Sequence, residues 1–145
     1  MTLSDPRSIA SLLGGEATLQ TKVREERDFI GLVRAGIPAV AVRSLVEKTQ
    51  TSIGIVGEIT RIDKSTLMRR LRSKGRLKPD ESDRVLRFAR AFVSAQRALG
   101  NDARAWLDTE NRALGGIKPI ELLDTDSGSR QVVDVLGRLE HGVFS

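Results

Sequence analysis

The chain has no cysteine and a single histidine, His141, among 145 residues. Disulfides, thiol nucleophiles and cysteine-ligated zinc are excluded, as is any site that needs two imidazoles. Aromatic residues make up only 3% and tyrosine is absent. Alternating β-branched runs are few, which argues against sheet. No apolar run approaches the ~18 residues needed to cross a bilayer. The opening Met1-Thr2-Leu3-Ser4-Asp5-Pro6-Arg7 lacks a cationic-then-apolar leader pattern. These absences lead us to expect a cytoplasmic, soluble chain with no membrane association. What is present is a globular composition, 39% hydrophobic and 30% charged. The length suits one domain or two very small ones.

The net charge of +5 is unevenly placed. Residues 1–60 are balanced. Residues 61–90 hold eleven basic and four acidic side chains, and residues 100–145 hold five basic and eight acidic. A basic block followed by an acidic tail implies two tasks, the first directed at a polyanion. The plainer alternative is a solvated helix face.

Helical period runs through almost every segment. Residues 1–15 read as a frayed arm ending at Gly14-Gly15, and residues 17–34 as a first helix. Pro38 opens a helix over 38–49, and Ser52–Thr60 forms a short one. Asp63 is expected to cap a helix to about Lys74, stopped by Gly75. Pro79-Asp80-Glu81 opens a long helix to Leu99, with both acids where the helix dipole favours them. Asn101-Asp102 caps a short helix holding Trp106, the lone tryptophan, read as the anchor of the C-terminal half. Pro119 starts another short helix over 119–124, and Asp126-Ser127-Gly128 reads as a turn. The last helix spans about 129–140, with Val132, Val135, Leu136 and Leu139 on one stripe.

The stretch from Ser52 to Leu71 reads as helix, tight turn, helix. Gly57 supplies the small residue where two helices cross, and Val56, Ile62, Leu67 and Leu71 supply the apolar lock. At about 100° per residue, Leu67, Met68 and Leu71 fall on one side of the second helix. Ser65, Thr66, Arg69, Arg72 and Ser73 fall on the other. Arginine can donate two hydrogen bonds to guanine, and short hydroxyls reach base edges or phosphates. Lys64, Ser65, Thr66, Arg69, Arg70, Arg72, Ser73 and Lys74 are therefore the candidate DNA-binding residues. Within this set Arg70 and Lys74, together with Arg76 and Lys78, are cast as phosphate contacts. A basic helical hairpin with no DNA role is the competing reading.

The Ile62-Asp63-Lys64-Ser65-Thr66-Leu67 core and the Arg69-Arg70 pair resemble helix-turn-helix regulators of the Xre type. In those turns a glycine usually stands where this chain has Arg61. Arginine there implies either a strained left-handed turn or a different turn geometry. Further on come Ala105-Trp106-Leu107, Asn111-Arg112-Ala113-Leu114-Gly115-Gly116, Pro119-Ile120-Glu121-Leu122-Leu123-Asp124-Thr125, and Leu136-Gly137-Arg138-Leu139-Glu140-His141-Gly142-Val143. That ordered set resembles the toxin-binding domain of MbcA/ParS/Xre antitoxins, and with the helix-turn-helix the resemblance covers roughly 40–145. It implies an all-α fold with a helix-turn-helix DNA-binding domain followed by a small helical toxin-binding domain. The corresponding division is 1–36 as arm and helix, 37–99 as helix-turn-helix, and 100–145 as the toxin-binding part. It also implies an antitoxin of a type II pair whose partner is a RES-domain, NAD⁺-degrading toxin. The C-terminal domain would cover that toxin, and the chain would bind operator DNA at its own promoter.

Within that frame Glu140, His141, Gly142, Val143, Phe144 and Ser145 are the candidate toxin-binding residues. Phe144 beside the terminal carboxylate would plug a cleft built for phosphates; a frayed end is the alternative. His141 reads as a helix-terminal side chain. No catalytic residue, metal site, cofactor or small-molecule substrate is expected. Operator recognition by one short helix calls for a homodimer on two half-sites about one turn, ~34 Å, apart. The rival function is a stand-alone helix-turn-helix repressor whose C-terminal half only dimerises.

Overall fold

The computed structural model describes residues 5–142. Among them there is no strand, only two isolated bridges, Pro38 with Arg76 and Asn111 with Ile117. The fold is all-α. In chain order the helices are α1 (Pro6–Leu12), α2 (Gly15–Leu19), α3 (Asp28–Ala35), α4 (Val40–Thr49), α5 (Ile53–Thr60), α6 (Lys64–Arg72), α7 (Pro79–Leu99), α8 (Ala103–Leu107) and α9 (Asp126–Glu140). Short 3-10 turns occupy Gly100–Asp102, Arg112–Leu114 and Pro119–Leu122.

α7 is the axis on which the rest is built. Its apolar positions bury Val85, Leu86, Phe88, Ala89, Ala91, Phe92, Val93 and Ala95. That is too many for one face, because neighbours lie on several sides: α1, α3 and α5 from the first half, α8 and α9 from the second. Its start is a proline with acids in the first turn, as expected, and Gly100 ends it at φ 59. Ser82, fully buried, accepts the Ile37 N–H at 2.8 Å and ties the chain before α4 to this axis.

Five expectations need correction. Residues 5–15 are not a frayed arm, and residues 1–4 lie outside the described residues. Asp5 caps α1 by accepting the Arg7 N–H at 3.2 Å, Pro6 takes the first position, and Ile9 and Leu13 are fully buried. The single helix over 17–34 is two. Gln20 ends α2 in the left-handed region at φ 61, and the Asp28 carboxylate accepts the Arg24 and Glu25 N–H groups at 2.9 and 3.0 Å. Those amides are thereby satisfied outside a helix. Asp63 precedes α6 but does not cap its backbone; its carboxylate accepts the Ser65 hydroxyl. α6 ends at Arg72, and the left-handed residue after it is Lys74, at φ 56, rather than Gly75. Lastly, Asp126-Ser127-Gly128 is the first turn of α9: Thr125 caps it by accepting the Gly128 N–H at 3.0 Å.

The backbone N–H of Arg24, then that of Glu25, holds the Asp28 carboxyl below its ordinary range. Slight burial opposes them, and the Arg27 and Arg24 charges add to them. For a depressed acid the stabilisation is complete above the unfolded value and fades as pH falls through the folded one. Acid titration followed by amide exchange should therefore show Arg24 and Glu25 losing protection at lower pH than an ordinary aspartate would dictate. Loss at the ordinary value would contradict the cap.

Candidate functional site

α5, the turn and α6 form the expected helix-turn-helix. Ser52 caps α5 by accepting the Ile55 N–H at 3.1 Å. Gly57 sits where the elements cross: a Cβ there would meet the Ile62 carbonyl at 2.9 Å. Leu67 and Ile62 are buried, Leu71 is 9% exposed, and Met68 packs against the core. The turn residue Arg61 is left-handed, φ 58 and ψ 36. The strained alternative is thus the one realised, at a cost of about 1–2 kcal/mol relative to glycine.

The opposite face of α6 is open. Ser65, Arg69, Arg72 and Ser73 are exposed and Thr66 is half-buried, while Lys64 and Lys74 are exposed at the two ends. Lys78 extends the same run. Lys64, Arg69, Arg72, Lys74 and Lys78 enter no ion pair among the described residues. The remaining basic residues of 61–90 are engaged. Arg84 bonds the Thr60 carbonyl at 3.2 Å and pairs with Asp80, and Arg87 pairs with Asp83 at 2.8 Å. Arg90 pairs with Glu26, one contact measuring 2.8 Å, and lies 5.3 Å from the Phe29 ring centre.

One candidate phosphate contact, Arg70, is turned inward, and a second, Arg76, is held by hydrogen bonds at the surface. Arg70, its side chain 17% exposed, pairs with Glu81, which is 10% exposed. The same carboxylate accepts the Lys78 N–H at 2.8 Å, so Arg70 helps join α6 to the start of α7. Arg76 donates to the Gly36 carbonyl at 2.7 Å and to Gln20 at 3.0 Å. The Arg70 guanidinium is thereby closed to a backbone phosphate, whereas Arg76 is exposed and held by its two hydrogen bonds. An arginine on a basic helix gives no hint of an acid eleven residues on. The clue lay in Glu81, an acid placed at the third position of a capped helix.

Sequence reading also missed how the turn meets the second half. Arg61 reaches Asp124 at 3.2 Å, a partly exposed pair between the helix-turn-helix and the residue just before the α9 cap. Arg104 donates to the Gln50 carbonyl at 3.2 Å across the same seam. In the second half, α9 buries Val132, Val135 and Leu136 against α7. Gly128 is required there because a Cβ would fall 2.1 Å from the Leu122 carbonyl. Trp106 is half-buried against the core. Glu140 lies 3.8 Å from Arg97. The His141 N–H closes α9 on the Gly137 carbonyl at 3.1 Å, and Gly142 follows at φ 70. Val143, Phe144 and Ser145 lie outside the described residues. No helix among the described residues is long and apolar enough to cross a membrane.

A helix-turn-helix with an open cationic face is packed on a small helical domain through one shared helix, α7. Residues 28–90 match the antitoxin Xre-like helix-turn-helix domain, and residues 94–142 match the antitoxin Xre/MbcA/ParS C-terminal toxin-binding domain. "Antitoxin Xre" of Photorhabdus laumondii is 32% identical over 117 residues, 79% of each chain. "Antitoxin Xre" of Yersinia enterocolitica is 43% identical over 89 residues, covering 59% of this chain and 60% of that one. The "Prs ADP-ribosylating antitoxin" of a Sphingobium species is 26% identical over 129 residues, 81% of each chain. The chain belongs to the Xre/MbcA/ParS antitoxin family and is an antitoxin of a toxin–antitoxin system.

Proposed function

We propose that this antitoxin neutralises a RES-domain, NAD⁺-degrading toxin by covering its active site, and that it represses its own operon by binding operator DNA as a homodimer in the cytoplasm. Residues 37–99, preceded by the 1–36 segment, carry the DNA-binding role, and residues 100–145 carry the toxin-binding role. Neutralisation is by occlusion, with no catalysis by the antitoxin. One observation carries the DNA half: five cations on α6 and the loop after it are exposed and unpaired among the described residues, while the other basic side chains of that block are engaged. Within this face Arg69 and Arg72, flanked by Ser65 and Ser73, read bases. Lys64, Lys74 and Lys78 hold the backbone. For the toxin half, the name of the Sphingobium relative couples that antitoxin to ADP-ribosylation, a reaction that consumes NAD⁺ by breaking its nicotinamide–ribose bond, as one route of NAD⁺ degradation also does. The Glu140–Gly142 end of α9 with the residues after it is the part that enters the toxin cleft.

Co-expression with the product of the adjacent gene tests the first half: the two proteins are expected to co-purify, with NAD⁺ loss suppressed. Failure to co-purify would remove the toxin assignment. For the second half, Arg69→Ala should cost about 1–3 kcal/mol on operator and relax base preference. Lys74→Ala should weaken all sequences alike and lower the salt slope by about one. Equal operator and random-duplex binding by parent and Arg69→Ala would sink the base-reading role.

A further inference from the structure

Residues 5–27 precede the matched helix-turn-helix and contain α1 and α2. Arg7, Lys22, Arg24 and Lys48 line one cleft beside the Gly14-Gly15 link, with Glu16 as the acid among them. Arg7, Lys22 and Arg24 are exposed and enter no ion pair among the described residues. Four cations outnumber the one acid in this cleft, so an anionic partner is favoured there. The side chains stand on a fixed frame. Lys48 Nζ donates to the Ser11 carbonyl at 2.6 Å, which joins α4 to α1. The Asp28 carboxylate holds the Arg24 and Glu25 amides.

The segment that lines this cleft is tied to the loop following the DNA-facing helix. Arg76, in the loop after α6, bonds Gln20 at 3.0 Å and Gly36 at 2.7 Å. Lys22 is two residues from Gln20, at most ~7 Å of chain. Lys74 and Lys78 stand two residues to either side of Arg76. The Arg76 bridge therefore clamps two cationic stretches side by side: Lys74–Lys78 at the end of the helix-turn-helix, and Lys22–Arg24 from the preceding segment.

We propose that Lys22 and Arg24, with Arg7 and Lys48 behind them, form a second phosphate-contacting patch. It engages the backbone of the same duplex, beyond the bases read by α6. This rests on the DNA-binding reading above and extends it to a segment with no assigned role. Such contacts add affinity and register but no sequence information.

The test uses the full chain and a labelled operator duplex, titrated between 50 and 200 mM salt. The double variant K22Q/R24Q should bind operator and random duplex about five- to tenfold more weakly, with their ratio unchanged. The slope of log K against log salt should fall by about 1.8, roughly 0.9 for each lost phosphate. Trimming the duplex to the bases under α6 should weaken the parent more than the double variant. Parent-like affinity and slope in the variant would overturn the patch while leaving the α6 reading intact. A changed operator-to-random ratio would also overturn it, since the pair would then read bases. A parent that ignores duplex altogether would bring down the DNA-binding reading and the patch with it. Thermal denaturation of the variant, expected to match the parent, separates these outcomes from misfolding.

Discussion

Phe88→Ala is expected to destabilise both halves of the chain together, by about 3–5 kcal/mol. Phe88 is fully buried on α7 and meets Phe92 edge to face, ring centres 6.4 Å apart at 82°. Removing the ring takes away its transfer free energy and leaves a cavity that close-packed neighbours fill only in part. The loss is shared because α7 packs against α1, α3 and α5 on the helix-turn-helix side and against α8 and α9 on the other. For a chain of this length the melting temperature should fall by roughly 10 °C. Operator binding and toxin neutralisation should fail at the same temperature. Two separate melting transitions, only one of them moved, would show that α7 does not unite the halves.

Arg70 and its neighbour Arg69 should give opposite results. Arg70→Ala leaves Glu81 nearly buried without its cation, although the carboxylate keeps the Lys78 N–H. Breaking a largely buried pair on one side is expected to cost about 2–4 kcal/mol of stability. The salt slope of DNA binding, measured well below the melting point, should stay unchanged. Arg69→Ala should do the reverse, because its side chain is exposed and touches no acid among the described residues. The double change R70M/E81M should recover most of the lost stability, since apolar pairs of similar volume replace buried ion pairs at little cost. A reduced salt slope in Arg70→Ala with unchanged melting would return Arg70 to the phosphate-contacting set.

The elements legible from sequence were those with local causes. α4 to α7 followed from apolar period, a capping serine, Pro79 and Gly100. Each of these acts within one turn of the residue that carries it. The small residue at Gly57 was legible for the same reason. α1 was also within reach, because Ile9, Leu12 and Leu13 stand at helical spacing. It was hidden because chain ends usually fray, and here burial against α2, α4 and α7 holds the helix in place. The break between α2 and α3 was not legible. It depends on Gln20 taking a left-handed conformation and on Asp28 reaching back to two amides.

By itself the sequence determined that this antitoxin is helical, that it carries a helix-turn-helix, and that its positive charge gathers in residues 61–90. Periodicity, caps and composition are written in neighbouring residues. Only the tertiary structure decided which of those cations remain free. Arg70 meets Glu81 eleven residues away, Arg61 meets Asp124 across 63, and Arg90 meets Glu26 across 64. An ion pair depends on distance through space, and no spacing along the chain encodes one between separate elements.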